Sequence, residues 1–199
     1  MTLRTGMTDL VKSIRQLGEA GTADYVLAGE TYWTDDHLQA LADRHRQWFH
    51  AVNLTLEPQQ IGGTTHYYRY RFPTTLRPDW YGIEGTAGGT AAFRVDDSLG
   101  NLIAGTLYTF HPDALDVVFA TNQAGSARYW TGFAYDLNAI AAELWTRKAS
   151  HMWKAMNFSA DGHRFDRGAL HANCLEMAKL FQRAKGVTVS RMVRRDVQC

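Results

Sequence analysis

The sequence predicts an α+β fold: a helical bundle, made of short N-terminal helices plus two long C-terminal helices, with an inserted antiparallel β section. Three observations predict it. Apolar residues recur at helical spacing near both ends of the chain, the period falls to two in the middle, and all four prolines sit in that middle section. At 199 residues, with 45% hydrophobic and 21% charged residues, the chain has the composition of a globular protein large enough to bury a core. One domain over 1–199 is expected, with N-terminal helices in 8–47, a β insertion in 48–131, a C-terminal helical pair in 134–185 and a terminal strand or tail in 187–199.

Each element has a local reason. In "TDLVKSIRQL", Leu10, Val11, Ile14 and Leu17 share one face, with Thr8 as N-cap and Gly18 as the stop. Thr34 can cap a second helix whose first turn carries Asp35 and Asp36, acids that suit the positive end of the helix dipole; Leu38, Leu41, Ala42 and His45 follow at helical spacing. "HYYRYRF" alternates, with Tyr68, Tyr70 and Phe72 on one face and Tyr67, Arg69 and Arg71 on the other. "TAAFRVDDSLGNLI" reads as strand, turn, strand, and "DVVFA" as another strand. A long helix is expected over "AYDLNAIAAELWTRKASHMWKAM", with Leu137, Ile140, Ala141, Leu144 and Met152 in its stripe. The last helix, "RGALHANCLEMAKLFQRAKG", places Leu170, Cys174, Met177 and Phe181 on one side, and "VTVSRMV" suggests a closing strand.

Formal net charge is +1, so no whole-molecule field draws the chain to nucleic acid or to an anionic membrane. Locally, Glu19, Asp24, Glu30, Asp35, Asp36 and Asp43 form a segment without Lys or Arg, whereas Lys179 to Arg195 holds six basic residues and no acid. Opposite-sign segments of this kind suit heterologous contacts between repeated copies. Two cysteines, Cys174 and Cys199, imply no disulfide framework and fit a reducing compartment. No stretch has the length of a membrane helix or of a signal-peptide core, so a cytoplasmic site of synthesis is expected.

Chemistry is sparse. "GGT" at 62–64 and 88–90 lacks the Lys of a phosphate loop, and neither a G-x-S-x-G elbow, an HExxH pair nor a CxxC pair occurs. No two of the eight histidines stand at i, i+3 or i, i+4; His37 and His45 would lie about 12 Å apart along a helix, too far for one ion. The richest cluster, "MNFSADGHRFDRGALHANC", resolves into a turn at Asp161-Gly162, two aromatic anchors at Phe158 and Phe165, a helix cap at Asp166 and a core Cys174 beside His171. A small hydrolase or metal-dependent enzyme using Asp161, His163 and His171 is the enzymatic alternative. No catalytic, cofactor or metal residue is assigned. Partner contact is expected at Trp80 and Tyr81, in the loop "RPDWYG", and at Arg183, Lys185, Arg191, Arg194 and Arg195 in the basic C-terminal segment.

The serial order of four motifs resembles the head-to-tail adaptor (connector) proteins of tailed bacteriophages. They are the acid-capped helix "YWTDDHLQALADRHR", the aromatic insertion "HYYRYRF" with "FRVDDSLGNLI", the Tyr135-Asp136-Leu137 start of an Ala-rich helix, and "FSADGHRFDRG" ahead of the last helix. The similarity runs over residues 32 to 195, with Gly168-Ala169 standing where the family has Ser-Gln. The resemblance implies a non-enzymatic virion protein at the head-tail neck, forming a ring of about twelve copies beneath the portal. Such a ring extends the DNA channel and docks the next neck or tail protein, with non-specific DNA contact from the basic segment. Another neck, tail-completion or capsid-associated protein is the alternative within the same class.

Overall fold

Alternation in the middle of the chain does more than fill an insertion: it builds the body of the molecule. The computed structural model describes residues 3–21, 25–27, 30–77, 81–85, 93–154, 159–160, 163–164 and 167–184. Along the chain these are helix α1 (Thr8–Gly18), a small ribbon of β1 (Tyr25–Leu27) and β2 (Glu30–Tyr32), helix α2 (Asp35–Asp43), then strands β3 (Arg46–Ile61), β4 (Thr64–Arg71), β5 (Tyr81–Ile83), β6 (Phe93–Asp96), β7 (Tyr108–His111), β8 (Asp116–Phe119) and β9 (Arg128–Asp136). Helix α3 (Leu137–Lys154), a short ribbon of β10 (Ser159–Ala160) and β11 (His163–Arg164), and helix α4 (Arg167–Arg183) complete it.

Strands β3 to β9 form one antiparallel sheet in the order β5-β9-β3-β4-β8-β7, with β6 also on β9, curled into a half-barrel. Alternation sends the residues of β9 to two different cores, Trp130 and Ala134 to one and Tyr135 to the other. The inside of the curl is aromatic: Tyr70, Phe93 and Trp130 are fully buried with Leu54, Val95, Val117 and Ala134. Each such ring contributes roughly 2–3 kcal/mol of burial. The opposite face of β9 gives Tyr135 to a second core with Met7, Leu10, Ile14, Leu38, Leu41, Ile140 and Leu144, so α1, α2 and the first half of α3 cover one outer face of the sheet. A third, smaller cluster of Trp145, Ala149, Cys174 and Ala178 joins α3 to α4.

The expected helical bundle with an inserted β section is therefore corrected: the sheet is the frame and the helices are applied to it. Helical periodicity is a local property, but the pairing of β3 with β9, Trp48 opposite Phe133 and Leu54 opposite Arg128, joins distant segments and leaves no local mark. Boundaries move with it. The sheet starts at Arg46 and ends at Asp136, beyond the expected 48–131, and β9 runs into α3 without a loop, Asp136 Oδ1 accepting the Ala139 N–H at 2.9 Å as a cap. Pro58 lies inside β3 rather than at a strand end, at a register shift between Glu57 and Gln59. After β6, "GNLI" makes a single bridge, Leu102 to Asp96, instead of a strand.

The helical details agree in part: His45 lies beyond the end of α2, α3 starts at Leu137 rather than Ala134, and Leu170, expected on the apolar side of α4, is exposed while Cys174 is buried. Thr34 accepts the His37 N–H, and Leu38, Leu41 and Ala42 are buried. Helix α1 ends at Glu19 in the left-handed region, one residue after Gly18, while Met7 rather than Thr8 holds the N-cap position. The hairpin expected at Asp161-Gly162 is flanked by paired Ala160 and His163; the turn itself, Phe158, Phe165, Asp166 and the "VTVSRMV" segment lie outside the described residues.

Candidate functional site

The most prominent surface feature is an arm. Strand β3 pairs with β9 as far as Leu54 and with β4 from Thr55 onward. β8 still flanks β4 from Arg69 to Arg71, opposite Thr55 to Glu57, and beyond these β3 and β4 continue as a two-stranded ribbon. Ile61 pairs with Thr64 across Gly62-Gly63, both with positive φ (58° and 80°), as a two-residue hairpin turn that follows the strand twist requires. Neither glycine has a neighbour within 4 Å of where a Cβ would stand, and Ile61 is 52% exposed. Pro58 removes an N–H from the part of β3 that β9 no longer covers, a device that discourages stray pairing at an open edge. Along β4, the 122–123 loop braces the ribbon: Asn122 Oδ1 accepts the Tyr67 N–H at 2.9 Å, and the Tyr67 carbonyl accepts from Gln123 at 3.0 Å.

Across the base of the arm runs a ladder of charge. Glu57 accepts from Arg71 at 2.8 Å, Arg69 lies 3.2 Å from Asp116, and His111 Nδ1 is 2.7 Å from the same carboxylate. Asp116 is buried, and its two partners offset its loss of water. The other ends of these pairs are half-exposed, so each contributes modestly to stability.

A second polar cluster ties the N-terminal segment to the body. Arg4 donates to Glu84 Oε1 (2.8 Å), to both oxygens of Asp43 (2.7 and 3.0 Å) and to the Tyr135 hydroxyl (2.9 Å). Tyr135 in turn donates to Glu84 Oε2 at 2.5 Å, and Arg46 reaches that oxygen at 3.4 Å. Burial, reinforced by the Glu84 carboxylate, pushes the Tyr135 phenol well above its usual range. The Asp43 hydrogen bond holds Arg4 firmly protonated against the opposing cost of burial. This arrangement is a latch between the N-terminal segment, α2, β5 and β9. The same pairs answer the acidic segment: Asp43 is neutralised by Arg4 and Asp35 by Arg15 at 2.6 Å, within one copy.

Of the residues expected to contact partners, Tyr81 opens β5, half-buried, its ring edge-on to Phe49 at 6.5 Å, and burial raises its phenol pKa, with Asp136 adding. Arg183 is exposed in the last turn of α4. Trp80, Lys185, Arg191, Arg194 and Arg195 lie outside the described residues, as does Asp161. His171 is half-buried on α4. Cys174 is buried, its thiol pKa raised chiefly by burial. Among the described residues, no three His, Cys, Asp or Glu side chains form a metal-sized cluster, and no helix is long and apolar enough to cross a membrane. Sequence reasoning passed over the arm. "QQIGGTTH" was tested only as a phosphate loop, whereas Gly-Gly between alternating runs is a hairpin signal.

No protein-family model matches the chain, and no curated protein is detectably similar to it.

Proposed function

We propose that the chain is a structural subunit of a tailed-bacteriophage neck, a head-to-tail adaptor that assembles as a ring beneath the portal and receives the next neck or tail protein. The observation that carries this reading is the serial order of the four resembling motifs. In the fold they become discrete units in the same order: capped helix α2, the β4 and β6 strands, the α3 start at Tyr135-Asp136-Leu137, and the β10–β11 ribbon ahead of α4. The β3–β4 arm supports it physically, because a paired ribbon with an exposed Ile61 is suited to reaching a neighbouring copy. With Asp35 and Asp43 neutralised internally, the arm rather than the acidic segment is the part proposed to join copies.

The test is assembly. Native mass spectrometry of the full chain with its portal should give a closed ring of fixed copy number, and electron microscopy of particles should place that ring at the neck. Deletion of Gln59–His66 with a Gly-Gly closure should abolish ring formation while leaving the monomer folded. A strictly monomeric chain absent from purified particles would overturn the reading.

A further inference from the structure

Between α2 and α3 lies a groove of about 280 Å³ whose chemistry the neck role does not use. His37 and Ala40 line it from α2 and Arg44 from the C-cap that follows, Arg147 and His151 line it from α3, and Tyr32 and Trp33 close one end. Its two ends differ in kind.

At the first end a single carboxylate serves two permanent cations. Glu143 Oε1 accepts from Arg44 at 2.9 Å and from Arg147 at 2.7 and 3.1 Å, while Oε2 lies 2.8 Å from His45 Nε2. Two guanidiniums on one carboxylate leave at least one unmatched positive charge. Arg44 commits one of its five N–H donors and Arg147 two. Their side chains are 62% and 39% exposed, so their remaining donors are reachable. At the second end the His151 ring stands edge-on to Tyr32 at 4.6 Å and is backed by buried Trp33 at 5.5 Å, so His151 and Tyr32 meet as an aromatic corner. Ala40 keeps the space between the ends open.

We propose that this groove binds an aromatic carboxylate: a carboxylate held by the spare donors of Arg44 and Arg147, on a flat apolar body that lies against His151 and Tyr32. A free aromatic acid and an acidic-aromatic pair in a peptide share this chemistry. The proposal stands apart from the ring reading and needs only the folded chain.

The probe is phenylacetate, titrated calorimetrically into the full-length protein. Saturable binding is expected, about tenfold weaker for the neutral isostere phenylacetamide. A similar loss is expected in R44Q, which removes a donor, and in A40L, which fills the groove from an exposed helix position. Acetyl-Asp-Phe-amide separates the sources: tighter binding than phenylacetate assigns a peptide ligand, weaker binding a free acid. Circular dichroism establishes that both variants are folded. No saturable binding to the wild-type chain, undiminished binding to A40L, or full displacement by inorganic phosphate would overturn the proposal, the last by showing a generic anion site.

Discussion

Helix α3 belongs to two regions that are built differently. Its first half, Leu137 to Leu144, is sunk into a core made by α1, α2 and the sheet. Its second half carries α4 through a cluster of four buried side chains, Trp145, Ala149, Cys174 and Ala178. One half is enclosed by an apolar core on several sides; the other rests on that cluster and on separate ties, Trp145 Nε1 to the Leu17 carbonyl, Lys148 Nζ to the carbonyls of Gly18 and Glu19, and the His151 ring on Tyr32 and Trp33. The difference teaches that α3 is a strut: rooted in the large core where the sheet holds it, and steadied at the far end by the smaller α4 cluster, in which Leu175, Met177 and Phe181 are only partly buried. Local opening should therefore start at the α3–α4 seam, well below the free energy of global unfolding.

Five changes test that contrast, from the largest effect to the smallest. Phe93→Ala, inside the aromatic curl, should cost about 3–5 kcal/mol and shift the whole cooperative unfolding transition in urea. A loss confined to part of the signal would mean the sheet and helices unfold separately. Glu84→Leu takes the buried carboxylate from Arg46 and the Tyr135 hydroxyl and leaves Arg4 with Asp43 as its acidic partner, and about 3 kcal/mol should be lost, with amide protection falling in the N-terminal segment and β9 together. Cys174→Ala should cost only about 1 kcal/mol, and hydrogen exchange should quicken in α4 and the second half of α3. Equal quickening in β9 would break the comparison.

Acid should act on the rooted half through Glu143. Burial opposes the charged form there, but hydrogen bonds from His45 and Arg147 outweigh it and hold the carboxyl below its ordinary value. A depressed pKa stabilises the fold above the unfolded value of about 4.3, and this stabilisation is lost as pH falls through the folded pKa. In E143Q, stability should lack that part of its acid dependence, about 1 kcal/mol or less; an unchanged pH profile would remove Glu143 from the account. Ile61→Lys, at the tip of the arm, should leave the unfolding free energy within about 0.5 kcal/mol. A larger change would show that the tip folds back onto the body.

What could be read from the sequence follows the range of the forces involved. The Thr34 cap and the buried row of Leu38, Leu41 and Ala42 were legible because a helix closes its bonds within four residues. Tyr70 and Phe72 were legible as one buried strand face for a similar reason. The half-barrel was not, since nothing near Trp48 announces that its partner is Phe133. Ala134 to Asp136 were assigned to the helix because an apolar strand that passes straight into an apolar helix changes period without a turn residue to mark it. The groove between α2 and α3 was invisible on the same principle. Histidine spacing along one helix carries no sign that His37 and His151 line one groove from two helices.

Helix α1 shows how little room the outer face leaves. A Cβ on Gly82 would collide with the Leu10 side chain, and one on Gly18 with that of Leu144. The helix thus inserts a side chain into β5 and receives one from α3.

Strand β3 is one continuous strand, with register shifts between Phe49 and Val52 and between Glu57 and Gln59, that belongs to the arm at one end and to the sheet interior at the other. Antiparallel hydrogen bonds lie perpendicular to the strands. A pull on the arm along its axis therefore loads the β9 and β4 ladders in shear, many bonds sharing the force at once. A sideways pull would instead peel the ribbon from its tip, pair by pair, until it meets the brace at Tyr67 and the β8 pairing at Arg69. The arm is thus mechanically directional, stiff as a tie rod and compliant as a hinge.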